Sequence, residues 1–231
     1  VDEDDKNKFP KFNERKHFVT IGNFLHKPNT DSVLTLKKEV WPLIKQQLPE
    51  AELHIYGAYP SQQVLQLSNE KEGFIVKGFA DDVNKVMQYA KVCLASLRFG
   101  AGLKGKLIDA MLNGTPCITS AIGAEGMFGN MKPNGFVTDD YKEFANNAAE
   151  LYKNQALWEE KQHNGFDIVN KRFNETKFKR NFIEEINKLK NSLSQHRQNN
   201  FIGEMLQHHN MQSTKYMSRW IEEKNKTKNG S

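Results

Sequence analysis

The chain has 231 residues, of which 38% are hydrophobic and 26% are charged, and its formal net charge is +5. This composition is typical of a globular chain that buries one large core and has room for appended segments. No run of eighteen apolar residues is present, so we expect no membrane-spanning helix. Cys93 and Cys117 lie within apolar strand patterns, which indicates buried free thiols and a cytoplasmic location.

Short strand patterns alternate with helix patterns from residue 17 onward. Most of the strands are apolar without strict alternation, which is typical of a parallel sheet covered by helices on both faces. We therefore predict a doubly wound α/β domain, in which ligands bind beyond the carboxyl ends of the strands. The six predicted strands cover residues 17–21, 52–56, 74–77, 91–97, 116–120 and 135–138.

The helix patterns between these strands begin at residues that can cap a helix. Asp31 is predicted to cap a helix that reaches about Leu48, and Pro42 is expected to kink or split it. Further caps are expected at Ser61 and at Asp81 or Asp82. The last helices of this region are predicted near residues 103–112, 141–153 and 155–171.

Three segments follow from these patterns. Residues 1–16 are polar and are predicted to be an N-terminal linker, and residues 17–172 form the α/β domain. Residues 173–231 are predicted to be a helical extension, with one helix over 174–195 and a second amphipathic pattern over 200–225. The apolar stripes of this extension need a partner, which is either the α/β domain or a protein segment outside the chain.

A glycine-rich loop follows the fourth strand. Gly100 and Gly102 lie between that strand and the helix predicted from about Leu103, and the unpaired N–H groups at such a helix start suit a phosphate. Lys104 adds positive charge where the helix dipole opposes it, so an anionic ligand would explain its presence. Lys106 lies two residues further along the helix and is expected to point elsewhere.

The basic residues of the C-terminal third follow an amphipathic pattern. A solvated helix face is the simplest interpretation, and peripheral attraction to an anionic membrane is the alternative. We expect no nucleic-acid partner, because no RNA-binding aromatic motif or recognition helix is apparent. No clustered metal ligands are apparent, so we expect no metal site. The sequence does not indicate an oligomeric state.

Six motifs in a fixed order span roughly residues 17–172. They are Ile21-Gly22, Tyr56-Gly57, Val76-Lys-Gly-Phe79, Arg98-Phe-Gly-Ala-Gly-Leu-Lys-Gly-Lys-Leu-Ile-Asp-Ala-Met111, Gly114-Thr-Pro116 and Gly123-Ala-Glu-Gly126. This order resembles the C-terminal half of retaining GT-B glycosyltransferases, the group 1 family that uses nucleotide sugars. The resemblance implies one Rossmann-like half of an enzyme, with the acceptor-binding N-terminal half outside this chain.

The resemblance also implies roles for individual residues. Asp109 matches an acid that would bind ribose hydroxyls, whereas Ala101 stands where the family has a glutamate that contacts the donor sugar. Lys104 is then the expected diphosphate ligand, and it would offset charge on the leaving group. Other residues of the implied donor site are Gly22, Asn23, Lys77, Gly78, Phe79, Gly100, Gly102 and Glu125, of which Lys77–Phe79 would flank the base. Glu125 would either face the sugar or cap the next helix.

The function implied by the resemblance is transfer of a hexose from a UDP- or GDP-sugar to a saccharide or lipid-linked acceptor, as in polysaccharide biosynthesis. No cofactor beyond this donor substrate is expected, and no catalytic nucleophile or base can be named. The alternative is a non-catalytic nucleotide-binding or assembly module on the same fold. Ala101 and the short Asp109 side chain would then reflect lost catalysis.

Overall fold

The computed structural model describes residues 9–228, without the side chains of residues 175, 177, 207–211 and 226–228. Six parallel strands form one sheet in the order β3-β2-β1-β4-β5-β6. This is the predicted doubly wound arrangement, and all six predicted strands are confirmed to within a few residues. The strands are β1 (Phe18–Ile21), β2 (Leu53–Tyr56), β3 (Phe74–Gly78), β4 (Val92–Ala95), β5 (Cys117–Thr119) and β6 (Gly135–Val137).

Helices cover both faces of this sheet. Those of the α/β domain are α1 (Lys27–Thr35), α2 (Trp41–Gln47), α3 (Gln62–Leu65), α4 (Val83–Tyr89), α5 (Gly105–Leu112), α6 (Ala121–Ala124), α7 (Tyr141–Lys153) and α8 (Gln155–Arg172). A π-helical turn, Leu36–Val40, lies between α1 and α2, and 3₁₀ turns occur at Phe12–Glu14 and Glu70–Glu72.

The central strands β1, β4 and β5 are buried on both sides, which explains their mostly apolar sequences. Phe18, Ile55 and Ile118 face one cluster that includes Trp41 and Trp158. The alternate strand residues face a second cluster, whose members include Val19, Cys93, Cys117, Leu107 and Ile168. Both cysteines are therefore buried thiols, as predicted.

Several helix starts confirm the capping residues read from the sequence. The side chains of Ser61 and Asp82 accept hydrogen bonds from the backbone N–H groups of Val64 and Lys85. The prediction for Asp31 is wrong, because α1 begins four residues earlier, at Lys27, with Pro28 in its first turn. The Asp31 carboxylate instead pairs with the guanidinium of Arg98.

Pro42 divides the predicted long helix, as expected. It lies in the first turn of α2, directly after the π-helical turn that separates this helix from α1.

Residues 9–16 are part of the folded domain, in contrast to the predicted linker. The Phe12 ring is buried in the core, and Lys91 Nζ lies 3.8 Å from its centroid. Arg15 is only 1% exposed although the segment is polar, and its guanidinium lies 4.9 Å from the centre of the Trp158 ring. The acceptors that explain this burial are Pro10 O, Met87 O, Ala90 O, Asn113 O and Thr115 Oγ1.

The second unit begins at Glu175, immediately after a first unit that ends at Asn174. Its helices are α9 (Glu175–Asn191), α10 (Leu193–Asn199) and α11 (Phe201–Lys228). The helix predicted over 174–195 is therefore shorter than expected, since Ser192 separates α9 from α10. Among the described helices, none has both the length and the apolar character that crossing a bilayer requires.

Arg15 provides a test of this packing. The Arg15→Met substitution is expected to lower the free energy of unfolding by about 2–4 kcal/mol, because several buried acceptors lose their donor. Denaturant unfolding measures this difference. Arg98→Met is the control, because its guanidinium is exposed and its loss should change stability little. An Arg15→Met variant as stable as Arg98→Met would contradict the anchoring role.

Candidate functional site

A cleft of about 630 Å³ opens at the carboxyl ends of β1 and β4. These two strands are neighbours in the sheet, but the chain leaves them towards opposite edges, β1 towards β2 and β4 towards β5. The loops that follow them therefore diverge, which opens a crevice at this switch in strand order. Its walls come from the loops after the first four strands and from the start of α5.

The glycine loop after β4 forms one wall of the cleft. Gly100 and Gly102 have φ values of 126° and 77°, which are conformations that side chains rarely allow. A Cβ atom on Gly100 would also lie 3.2 Å from Pro28 at the start of α1. The glycines are therefore needed for the path of the loop itself.

Lys104 ends this loop and precedes α5. Its backbone is extended and α5 begins at Gly105, two residues later than predicted. The Lys104 ammonium donates to Gly100 O at 3.0 Å and to Gly102 O at 2.6 Å, so the side chain folds back onto its own loop. No side-chain hydrogen bond caps this helix start.

The loop after β1 forms the opposite wall. Asn29 Nδ2 donates to Asn23 O at 2.8 Å, and Asn23 Oδ1 accepts from the backbone N–H of Leu25 at 2.9 Å. A Cβ atom on Gly22 would lie 2.6 Å from Asn29 Cγ, so the glycine lets this amide lie against the backbone. Gly22 thus lines the cleft, and its lack of a side chain is needed for the Asn29 amide to pack against it.

Lys106 crosses from α5 to this wall, in contrast to the expectation that it points elsewhere. Its ammonium donates to Asn29 Oδ1 at 2.9 Å. Burial lowers its pKa from 10.5 to about 8. The reason is that α5 starts at Gly105, so Lys106 lies in the first turn and faces β1.

Asp109 lies one turn further along α5 and also lines the cleft. Burial raises the pKa of its carboxyl group. A half-buried carboxylate at this position can accept two hydrogen bonds from neighbouring hydroxyl groups.

Some of the expected donor-site residues line the cleft and others do not. Those that line the cleft are Gly22, Asn23, Phe79, Gly100, Ala101, Lys104 and Asp109. Of these, the Phe79 ring is 70% exposed at the mouth, and Ala101 is the residue that stands where an acid was expected. The cleft lining does not include Lys77, Gly78, Gly102 or Glu125.

These four residues lie beside the cleft or away from it. Gly78 O accepts from the backbone N–H of Gly57, and Lys77 lies close enough to His54 to add to the burial that lowers the pKa of this histidine. Glu125 follows α6 and does not cap the next described helix, α7, because Asp140 caps that helix. A Cβ atom on the adjacent Gly126 would lie 3.2 Å from Leu103 Cδ2, which places the Glu125 loop against the glycine loop.

Sequence reasoning missed the part that Asn29 plays in the lining. An early start of α1, signalled by Pro28, could have placed Asn29 in the first turn of that helix, close to the loop after β1. Within the described residues, no group of three or more His, Cys, Asp or Glu side chains could hold a metal ion.

Comparisons with solved structures identify similar folds. The chain resembles TarM of S. aureus, solved as a point mutant with fondaparinux, α-GlcNAc-glycerol and UDP, at 16% identity and a TM-score of 0.63 over 77% of this chain and 36% of that one. It also resembles HepE of Anabaena, solved with UDP and glucose, at 15% identity and a TM-score of 0.62 over 77% of this chain and 50% of that one. A glycosyltransferase of Rickettsia africae gives 13% identity and a TM-score of 0.63 over 80% and 50% of the two chains.

At these identities the likeness establishes the fold, and it confirms the expected Rossmann-like half of a GT-B architecture. The chain spans between 36% and 50% of the length of these three structures. No curated protein sequence matches the chain. The sequence model described as glycosyl transferases group 1 matches residues 15–154, which include every wall of the cleft. The chain therefore belongs to the group 1 glycosyltransferase family.

Proposed function

We propose that the chain binds the nucleotide-sugar donor of a retaining glycosyltransferase. The enzyme would transfer a hexose from a UDP- or GDP-sugar to a saccharide or lipid-linked acceptor. The main support for this proposal is the cleft at the reversal of strand order. The start of α5, which has no side-chain cap, lines this cleft. Backbone N–H groups at such a helix start favour a phosphate.

The other residues of the cleft fit the remaining parts of a nucleotide. The carboxylate of Asp109 would accept hydrogen bonds from the ribose hydroxyls, and the exposed ring of Phe79 would lie beside the base. A lysine at the start of α5 would offset the negative charge that develops on the departing diphosphate. No metal or further cofactor enters this proposal.

UDP is the favoured donor nucleotide in this proposal. Two structures similar to this chain, those of TarM and HepE, were solved with UDP. The chain spans at most half of either protein, so we infer that an N-terminal half outside this chain binds the acceptor. The chain alone is then expected to bind nucleotide without transferring sugar.

A non-catalytic nucleotide-binding module is the second candidate. Ala101 favours it, because this cleft residue carries no acid to contact a donor sugar. Such a module would bind UDP and UDP-sugars equally well, since it would make no contact with the hexose.

Calorimetric titration with UDP and GDP tests the proposal. We expect UDP to bind the chain, and Asp109→Asn to weaken that binding by about tenfold, because a neutral amide accepts fewer and weaker hydrogen bonds from the ribose. Asp139→Asn removes a carboxylate outside the cleft and serves as the control. A chain that binds neither nucleotide would contradict the proposed function.

We further infer that the second unit makes a peripheral contact with anionic lipid at the cytoplasmic face of a membrane. Residues 175–231 contain 11 Lys and Arg but 6 Asp and Glu, so they account for the whole formal net charge of +5. Their exposed apolar side chains include Phe178 and Phe182 on α9 and Phe201 and Trp220 on α11. Apolar stripes flanked by basic residues favour an anionic interface.

Vesicle co-sedimentation tests this contact. The chain is expected to bind vesicles that contain phosphatidylserine more strongly than neutral vesicles, and Trp220→Ser to weaken that binding through loss of an interfacial ring. Leu25→Ser, at an apolar side chain of the first unit that is 70% exposed, is the control. Equal binding to both kinds of vesicle, or binding to neither, would contradict the inference. A protein partner would then be the better explanation of the exposed apolar stripes on α9 and α11.

A further inference from the structure

Two lysines at the start of α5 differ in what their ammonium groups contact. Lys104 uses two of its three N–H donors on Gly100 O and Gly102 O, both within its own loop. These contacts fix the loop in the conformation that the two glycines allow. Lys104 therefore acts mainly on the shape of the wall.

The Lys106 ammonium reaches the other wall of the cleft. It donates to Asn29 Oδ1 at 2.9 Å, and a lysine ammonium has two further N–H donors for a ligand. Both residues line the cleft, beside Gly22 and the uncapped first turn of α5. A phosphate at this helix start would thus lie next to a side-chain cation.

Asn29 holds this lysine in a fixed position. Its Nδ2 donates to Asn23 O, so its Oδ1 is turned towards Lys106. The close approach of Gly22 to the same amide supports this orientation. The lysine is held by a neutral amide, which leaves its charge for another partner.

The charge of Lys106 is not compensated by a carboxylate. Among the described residues, no Asp or Glu pairs with its ammonium, although the group is partly buried. Burial lowers its pKa to about 8, although the nearby Cys93 opposes this shift, so the cation is held at an energetic cost. An anionic ligand would remove this cost, and perturbed groups in a cleft are candidates for such a role.

We propose that Lys106, held by Asn29, is the cation that contacts the phosphate groups of the bound nucleotide, and that Lys104 is a positioning residue for the glycine loop. The proposal rests on the nucleotide-binding function proposed above. It assigns the phosphate contact to a lysine that reaches across the cleft, in place of the lysine expected from the sequence.

Titrations with UDP and with uridine separate the two roles. Lys106→Gln is expected to weaken UDP binding by about 10- to 100-fold and to leave uridine binding unchanged, because uridine has no phosphate. Lys106→Arg keeps the charge and should bind UDP more tightly than Lys106→Gln. Lys104→Gln is expected to weaken both ligands by similar factors, since the loop as a whole would shift.

The pH dependence gives a second readout. A bound phosphate raises the pKa of a contacting lysine, so binding requires the protonated form. Between about pH 7, where the terminal phosphate of UDP is already ionised, and about pH 8, the UDP affinity of the unmodified chain should be constant, and above that it should fall towards the affinity of Lys106→Gln. The Lys106→Gln variant should lose this fall. Lys85→Gln, which removes an exposed charge on α4 outside the cleft lining, should keep it.

The possible outcomes are distinct. Failure of the unmodified chain to bind UDP or GDP would overturn the proposed function and this inference with it. UDP binding that is equally tight in Lys106→Gln, or weakened to the same extent for uridine, would overturn the assignment of Lys106 alone. Thermal unfolding of each variant, with a melting temperature near that of the unmodified chain, confirms that the comparison concerns folded protein.

Discussion

The parallel pairing of β1 with both β2 and β4 determines where the cleft forms. The chain turns towards one edge of the sheet after β1 and towards the other after β4. The two following loops cannot cover the same space, so a cleft remains between them. Each feature of the candidate site, including the glycine loop, the α5 start and the Asn29 amide, is a boundary of this cleft.

The electrostatics of the cleft follow from how its polar groups are paired. The loop carbonyls of Gly100 and Gly102 are bound by Lys104, and the amide of Asn29 is bound between Asn23 and Lys106. Lys106 and Asp109 also line the cleft, and both side chains are partly buried there. A cation near the phosphate and a carboxylate near the ribose together match the chemistry of a nucleoside diphosphate.

The strands and most helix starts could be predicted from the sequence, because apolar runs and caps such as Ser61 and Asp82 act locally. The start of α1 was not predicted correctly, because Asp31 is a residue type that often caps a helix. In the structure its carboxylate pairs instead with Arg98, which is distant along the chain. Burial of Arg15 could not be predicted, because its acceptors come from residues up to 100 positions away along the chain. The contact between Lys106 and Asn29 could not be predicted for the same reason, because the two residues lie 77 positions apart.

A crystal structure of the chain with bound UDP would locate the diphosphate. We expect the diphosphate to lie at the start of α5, between the Gly22 loop and the glycine loop, with Lys106 Nζ within hydrogen-bond distance of a phosphate oxygen. UDP bound elsewhere on the chain, with the α5 start covered by protein side chains, would contradict this expectation.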